Sequence, residues 1–345
     1  MHRLFKELKD SVAIPSYFYL NWDKRQAEWR TMDRAPPSKS LKFRSRVKWK
    51  ELNNMTVELC ANYQNPDLDE YTYVDNPYIN VSFLKSHLQK CVRRSNVYKT
   101  LKTAYHLMDI DIQEFLRRLA VIAVEDSLPY NGFTTLIWFT AAVSKGYKMS
   151  ESQKCWCLGY CLQIAESKYY EKHGHSDRPF NLIKKKLDNI DRRGLDLLFS
   201  MQFRKAYGGR GGDKKMFDYL TGVWYQRFKL SEDNSRNSPD YWINILDCQI
   251  KFVTPPENKL ELNEWLPAGI DFHCCPQIIG MLMDRHDEFD EQELRSAIWS
   301  CSSSVTDKQC INGEIVEISD EDRVVWKKIA KDYIGMAKFF LKVQH

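Results

Sequence analysis

The run FLKSHLQKCVRRSNVYKTLKTAYHLMDIDIQEFLRRLAVIAVEDS, Phe83 to Ser127, carries three helix signatures in a row and sets the fold class. Phe83, Leu84, Leu88, Cys91 and Val92 recur at the three- and four-residue spacing of one helix face, with Ser82 expected as the N-cap. Asn96 is placed to cap a second helix bearing Val97, Leu101, Ala104, Tyr105 and Met108. Asp111 followed by Glu114 reads as a capping box for a third, whose apolar face is Ile112, Phe115, Leu119, Ile122 and Ala123. Short helices joined by brief turns predict a helical array.

The same pattern extends downstream. Pro129, Asn131 and Gly132 stop the third helix, and Thr134 or Thr135 opens a nearly all-apolar fourth. Ser150 with Gln153 caps a fifth. Helical spacing continues over 180–187 and 195–203, then from Asp213, as cap, through Phe228. The turn-rich SEDNSRNSPD, residues 231–240, marks a boundary. Beyond it Pro276 fits a first helical turn, Asp290 with Glu293 forms a capping box, and a long terminal helix runs from about Ser319. The expected class is therefore mainly α. A multi-helix array occupies 81–230, a smaller helical unit 241–345, and an irregular, partly extended segment 1–80.

The totals fit that class. A chain of 345 residues, 43 % apolar and 28 % charged, has room for two or three domains with a substantial core. Its 14 Gly and 12 Pro are too few for a many-turned all-β fold. The N-terminus MHRLFKELKD has no apolar signal region, and no stretch approaches the ~18 apolar residues that span a bilayer. Ten cysteines without such a signal fit a reducing compartment, so an intracellular protein with no membrane partner is expected.

The net charge of +5 is unevenly spread. Lys39, Lys42, Arg44, Arg46, Lys48 and Lys50 form a basic run without an acid. Within SLKFRSRVKWK, Ser40 to Lys50, Leu41, Phe43, Val47 and Trp49 take odd positions, while Lys42, Arg44, Arg46, Lys48 and Lys50 take even ones. Side chains of a strand alternate between faces, so this segment predicts one apolar face and one row of five cations. Same-face neighbours lie about 6.6 Å apart, twice the strand rise, a pitch suited to a phosphate backbone. The plain alternative is an edge strand kept soluble by its charges.

Other motifs point away from common chemistries. No GxxxxGK[ST] phosphate loop is present; YGGRGGDKK lacks the Ser/Thr that holds magnesium. Arg210, Lys214 and Lys215 still make that loop a possible secondary polyanion contact. Cys155, Cys157, Cys161, His173 and His175, and likewise His273, Cys274 and Cys275, lack paired zinc spacing. Asp271, His273, His286 and Asp287 match a hydrolytic metal site in residue type alone, and Asp67, Asp69, Glu70 and Asp75 read as a solvated acidic loop. No metal and no cofactor are expected, and no nucleophile motif is found.

Two charged pairs remain, Arg117-Arg118 and Glu125-Asp126. Acids at a helix C-terminus oppose the macrodipole, which predicts a fixed cationic partner. Arg93 and Arg94, ending the first helix of the run, are the candidates, and Glu114 is the expected local partner of Arg118. These six residues are expected to lock helices together as structural ion pairs.

On Arg117, Arg118, Leu119, Glu125 and Asp126, with Ala104 and Leu107 before them, the stretch from Leu84 to Val143 resembles the C-terminal, collar-like helical region of clamp-loader-related AAA+ ATPases. The replication-associated recombination ATPases are the nearest type. The resemblance implies helical architecture and an association with replication or repair. It implies no ATPase activity, because no ATPase module precedes the region. The function expected is a non-catalytic, nucleic-acid-associated protein that contacts DNA or RNA phosphates through the basic strand. A protein-interaction scaffold and a metal-dependent nuclease-like enzyme are the alternatives.

Overall fold

The computed structural model describes residues 15–49, 55–65, 80–172, 174, 179–207, 209–229, 238–270, 276–315 and 317–343. The chain is mainly α, with eleven α-helices among the described residues and a small sheet near the N-terminus. Cα proximity gathers it into two compact units, each made of three separated stretches. The first comprises Met1–Asp69, Pro129–Gln153 and His173–Ile250; the second comprises Glu70–Leu128, Lys154–Lys172 and Lys251–His345. The sequence places boundaries at 80 and again between 230 and 241. Each compact unit is made of stretches from separate parts of the chain, and the sheet shows how this arises.

Strands β1 (Tyr17–Asn21), β2 (Gln26–Arg30), β3 (Phe43–Trp49) and β4 (Met55–Ala61) form one sheet in the order β2-β1-β4-β3. β1 is antiparallel to β2 and parallel to β4, and β3 runs antiparallel to β4 at an edge. Residues 15–49 and 55–61 thus supply the extended part of the N-terminal segment as a regular sheet. The inner face is apolar: Phe18, Leu20, Ala27, Trp29, Phe43, Val47, Trp49, Val57 and Leu59 are all buried. A one-sided sheet must cover that face. Helices α4 (Phe133–Val143) and α6 (Arg192–Ala206) do so, and this draws them out of the helical run into the first unit. Phe18 stacks on Trp29 with centroids 4.0 Å apart, and Trp138 of α4 donates its indole N–H to Phe18 O at 2.9 Å. α7 (Gly211–Lys229) and α8 (Pro239–Leu246) complete the unit.

The second unit holds α1 (Val81–Arg93), α2 (Val97–Ile110) and α3 (Ile112–Glu125), which pack on one another. It also holds α9 (Pro276–Met283), α10 (Glu291–Ile298) and α11 (Asp320–Val343), and a two-residue parallel pairing of β5 (Tyr169–Tyr170) with β6 (Gln309–Cys310). The division falls inside α5 (Glu151–Glu166). Phe115, Leu116, Leu119 and Ile122 of α3 are fully buried, each contributing about 1.5–3 kcal/mol of transfer free energy. Asn96 and Asp111 cap as the sequence predicts, and Asp290 with Glu293 makes a complete box. Three expectations change. Asn80 rather than Ser82 caps α1, Gly132 precedes α4 without a side-chain bond, and α7 begins at Gly211, with Lys214 N–H reaching Arg210 O, so Asp213 lies inside its first turn.

Candidate nucleic-acid interface

Strand β3 alternates as its sequence requires. Phe43, Val47 and Trp49 are buried, whereas Arg44, Arg46 and Lys48 are exposed. Lys42, also exposed, stands one residue ahead of the strand and is anchored by its N–H to Ala61 O at 2.8 Å. Lys50 lies outside the described residues, so four of the five expected cations are placed. Lys42, Arg46 and Lys48 make no ion pair among the described residues.

The row has an acid in it that the linear sequence does not show. Glu58 of β4 stands directly across from Arg46 in the ladder. Its Oε1 accepts a hydrogen bond from Arg44 Nε at 2.8 Å, and the same guanidinium closes an ion pair with it at 2.5 Å. Register assigns the rest of this face: Arg44, Cys60, Tyr19 and Glu28 form one cross-strand row, and Arg46, Glu58, Tyr17 and Arg30 the next. At the far edge Arg30 lies over the Tyr19 ring at 4.5 Å and pairs with Glu28 at 2.6 Å. The positive excess therefore concentrates at the β3 edge, around Lys42, Arg46 and Lys48. Cys60 on this face is no nucleophile, because burial pushes its thiol up to about 12.

The secondary cations sit on another element of the same unit. Arg210, Lys214 and Lys215 are exposed at the start of α7, where first-turn amides and three cations favour an anion, although Asp213 shares that turn. The acidic stretch 67–75, His173 and His175, and the group at 271–275 lie outside the described residues. Among the described residues no group of three His, Cys, Asp or Glu is placed to hold a metal, and no helix is long and apolar enough to cross a membrane.

The charged pairs of the opening stretch lie in the second unit and form an interior cluster. Arg93 Nε donates to Asp126 Oδ1, Nη2 to Glu125 Oε1 at 3.3 Å, and Nη1 to Ser303 O at 2.7 Å. Gln89 Nε2 binds the other Asp126 oxygen at 2.9 Å. Lys308 donates to the main-chain oxygens of Asp126 and Ile164; burial pushes its pKa down to about 8 against the pull of Asp126. Arg94 is no ion-pair partner: it donates to Ser302 O at 2.8 Å and Val305 O at 3.1 Å. Those carbonyls lie at and just beyond the C-terminal end of a π-helical turn, Trp299–Ser303, that follows α10, where carbonyls have no partner within the helix. Nor does Arg118 take Glu114. It donates to Gln89 Oε1 at 3.3 Å, because Glu114 is drawn to Lys85 of α1 at 2.6 Å, with Arg117 at 3.4 Å. These groups bind one another and backbone carbonyls, an arrangement that fastens helix ends.

No protein-family model matches this chain, and no curated protein or solved structure shows significant similarity to it.

Proposed function

We propose that this protein binds nucleic acid without catalysis, engaging phosphates through Lys42, Arg44, Arg46 and Lys48, with Arg210, Lys214 and Lys215 as a secondary contact. The observation that carries this reading is the exposed cation row on β3. A strand fixes its side chains at a regular spacing of about 6.6 Å, and the buried alternation of Phe43, Val47 and Trp49 holds that strand rigidly against the core. Phosphate contacts of this kind give affinity without reading sequence, and the affinity falls steeply with salt. The replication or repair setting implied by the family resemblance belongs to the same proposal.

Replacement of Lys42, Arg44, Arg46 and Lys48 by Gln tests it, with binding of a short DNA or RNA measured across a salt series. The expected result is loss of binding and a flattened salt slope; unchanged affinity rules the stripe out. A second reading, docking of an acidic protein, is favoured by the edge position of β3, which can accept an added strand. In that case the Gln variant loses the protein partner while nucleic acid binds neither form.

A further inference from the structure

The first unit contains a pocket of about 220 Å³ at the end of the cation row. Trp49, the residue after Lys48, lines it together with Phe180, Phe199, Asn181, Gln202 and Lys205. Three aromatic rings and two side-chain amides around so small a volume suit one flat heteroaromatic ring. Pockets for drug-sized ligands run to roughly 300–1,000 Å³.

Trp49 adds an independent observation. Trp49 is only 2 % exposed, packed between Trp29 at 5.3 Å and Phe203 at 5.1 Å, and its buried indole N–H has no hydrogen-bond partner among the described residues. A buried indole N–H normally finds an acceptor. Here the nitrogen itself is closed off from the cavity, so Trp49 offers an occupant its ring and not its donor. The Lys205 ammonium is held by Asp218 at 2.7 Å, and Gln202 Nε2 by the same carboxylate at 3.3 Å. The pocket lining therefore carries little net charge, which disfavours a phosphate inside it and favours a neutral ring. Asn181 is exposed, so the site reaches the surface.

We infer that this pocket receives a single nucleobase of a strand whose phosphates follow Lys42 to Lys48. The inference rests on the nucleic-acid reading above. The cations and Trp49 face opposite sides of β3, yet β3 is an edge strand, so a flexible single strand can turn around it. Consecutive Cα atoms lie about 3.8 Å apart, which puts the last cation, Lys48, next to the pocket wall. The base would stack against the aromatic wall and meet Asn181 and Gln202 along its edge, amides being natural partners of base edges. A duplex would have to unstack and unpair a base to offer one, so a single strand is favoured.

The experiment compares a single-stranded DNA 12-mer, an abasic strand with the same number of phosphates, and free nucleoside monophosphates. Affinity is measured, and the Trp49 indole ¹H–¹⁵N resonance, assigned by Trp49→Phe, is followed. The variants are Asn181→Trp, which fills the pocket from an exposed rim position, and Phe180→Ala. The base-bearing strand is expected to bind roughly 5- to 100-fold tighter than the abasic one, the range found for stacking a base on aromatic side chains. It should move the indole resonance; in Asn181→Trp and in Phe180→Ala the preference for the base-bearing strand should shrink to less than about twofold, and in Asn181→Trp the resonance shift should be lost. Equal affinity for both strands, lost in the Gln stripe variant, overturns the pocket while leaving the stripe intact. No binding of either strand overturns the reading on which it rests. A resonance moved equally by free monophosphates, with no preference for the strand, overturns the strand-tethered assignment and makes the pocket a nucleotide site.

Discussion

Glu58 faces Arg46 across the β3–β4 ladder and is bonded to Arg44, so one carboxylate sits inside an otherwise cationic row. On the proposed function its charge opposes binding twice: it occupies Arg44 and lowers the potential over Arg46. Glu58→Gln keeps a hydrogen-bond acceptor for Arg44 and removes the charge. The variant is expected to bind a nucleic acid several-fold more tightly at low salt, with a salt slope steeper by about one unit if Arg44 turns to a phosphate. Unchanged affinity and slope would show that the row is not where phosphates bind.

Asp196 predicts a pH effect in the first unit. Its Oδ1 accepts the backbone N–H of Trp29 on the edge strand β2 at 2.9 Å, as Thr135 Oγ1 accepts that of Ala27. Two helix side chains thus satisfy edge amides that would otherwise recruit another strand. Burial raises the Asp196 pKa to about 7, despite Arg192 nearby. A raised carboxyl pKa means that the folded state holds its proton more tightly. Stability from this group is present below about 3.8 and lost as pH rises toward 7, by up to ~1.4 kcal/mol per pH unit. Asp196→Asn keeps the acceptor without the charge. It should be more stable than the parent at pH 8, by chemical denaturation, with the difference vanishing near pH 4.

His87 predicts the opposite slope in the second unit. Its Nε2 accepts the N–H of Leu266 at 3.0 Å, which fixes the proton on Nδ1, within 2.8 Å of Thr103 Oγ1. Burial, with Lys99 adding to it, lowers the pKa from 6.5 to about 3. The unfolded chain therefore binds a proton between pH 6.5 and 3 that the folded one refuses. Stability is complete above 6.5 and falls as pH drops, by at most ~1.4 kcal/mol per unit. Hydrogen exchange at the Leu266 amide should accelerate over this window, relative to its intrinsic rate, and the His87→Gln variant should lack the effect. A flat profile in the parent would contradict the neutral, bonded imidazole.

The sequence shows what is local and hides what is not. β3 is legible because its period of two survives in eleven residues, and the capping boxes because donor and acceptor are three residues apart. β1 and β2 are harder to see, since their loop has no Gly or Asn-Gly; Arg25 instead takes the left-handed conformation at φ 57°, with its N–H on Trp22 O. Residues 180–187 have a helix-like apolar count but form only a 3-10 turn at Leu182–Lys184, where Asn181 supplies no cap and three lysines follow one another. Glu58 enters the cation row only through the β3–β4 register, 14 residues from Arg44, and the Trp49 pocket is completed by residues from a distant part of the chain, so neither is visible in one dimension. α4 looked like one more member of an array, and only the sheet explains its apolar surface on every side.

Arg93 makes the strongest stability prediction. Its guanidinium binds Asp126, Glu125 and the carbonyl of Ser303 at once, joining the ends of α1, α3 and the π-helical turn after α10. Arg93 is 5 % exposed and Asp126 4 %, so neither charge is relieved by water if the other is removed. Removing one partner of such a buried pair costs about 3–5 kcal/mol, most of it from stranding the remaining charge. Arg93→Met should fall in that range. Arg93→Lys should recover only part of it, since a single ammonium cannot reproduce the planar fork over three acceptors. Adding Asp126→Asn to Arg93→Met should restore stability relative to Arg93→Met alone, because the stranded carboxylate is gone while Asn keeps an acceptor for Gln89. Urea unfolding of the parent, Arg93→Met, Arg93→Lys, Asp126→Asn and the double variant checks this, and additivity of Arg93→Met and Asp126→Asn would show that Arg93 and Asp126 are not energetically coupled.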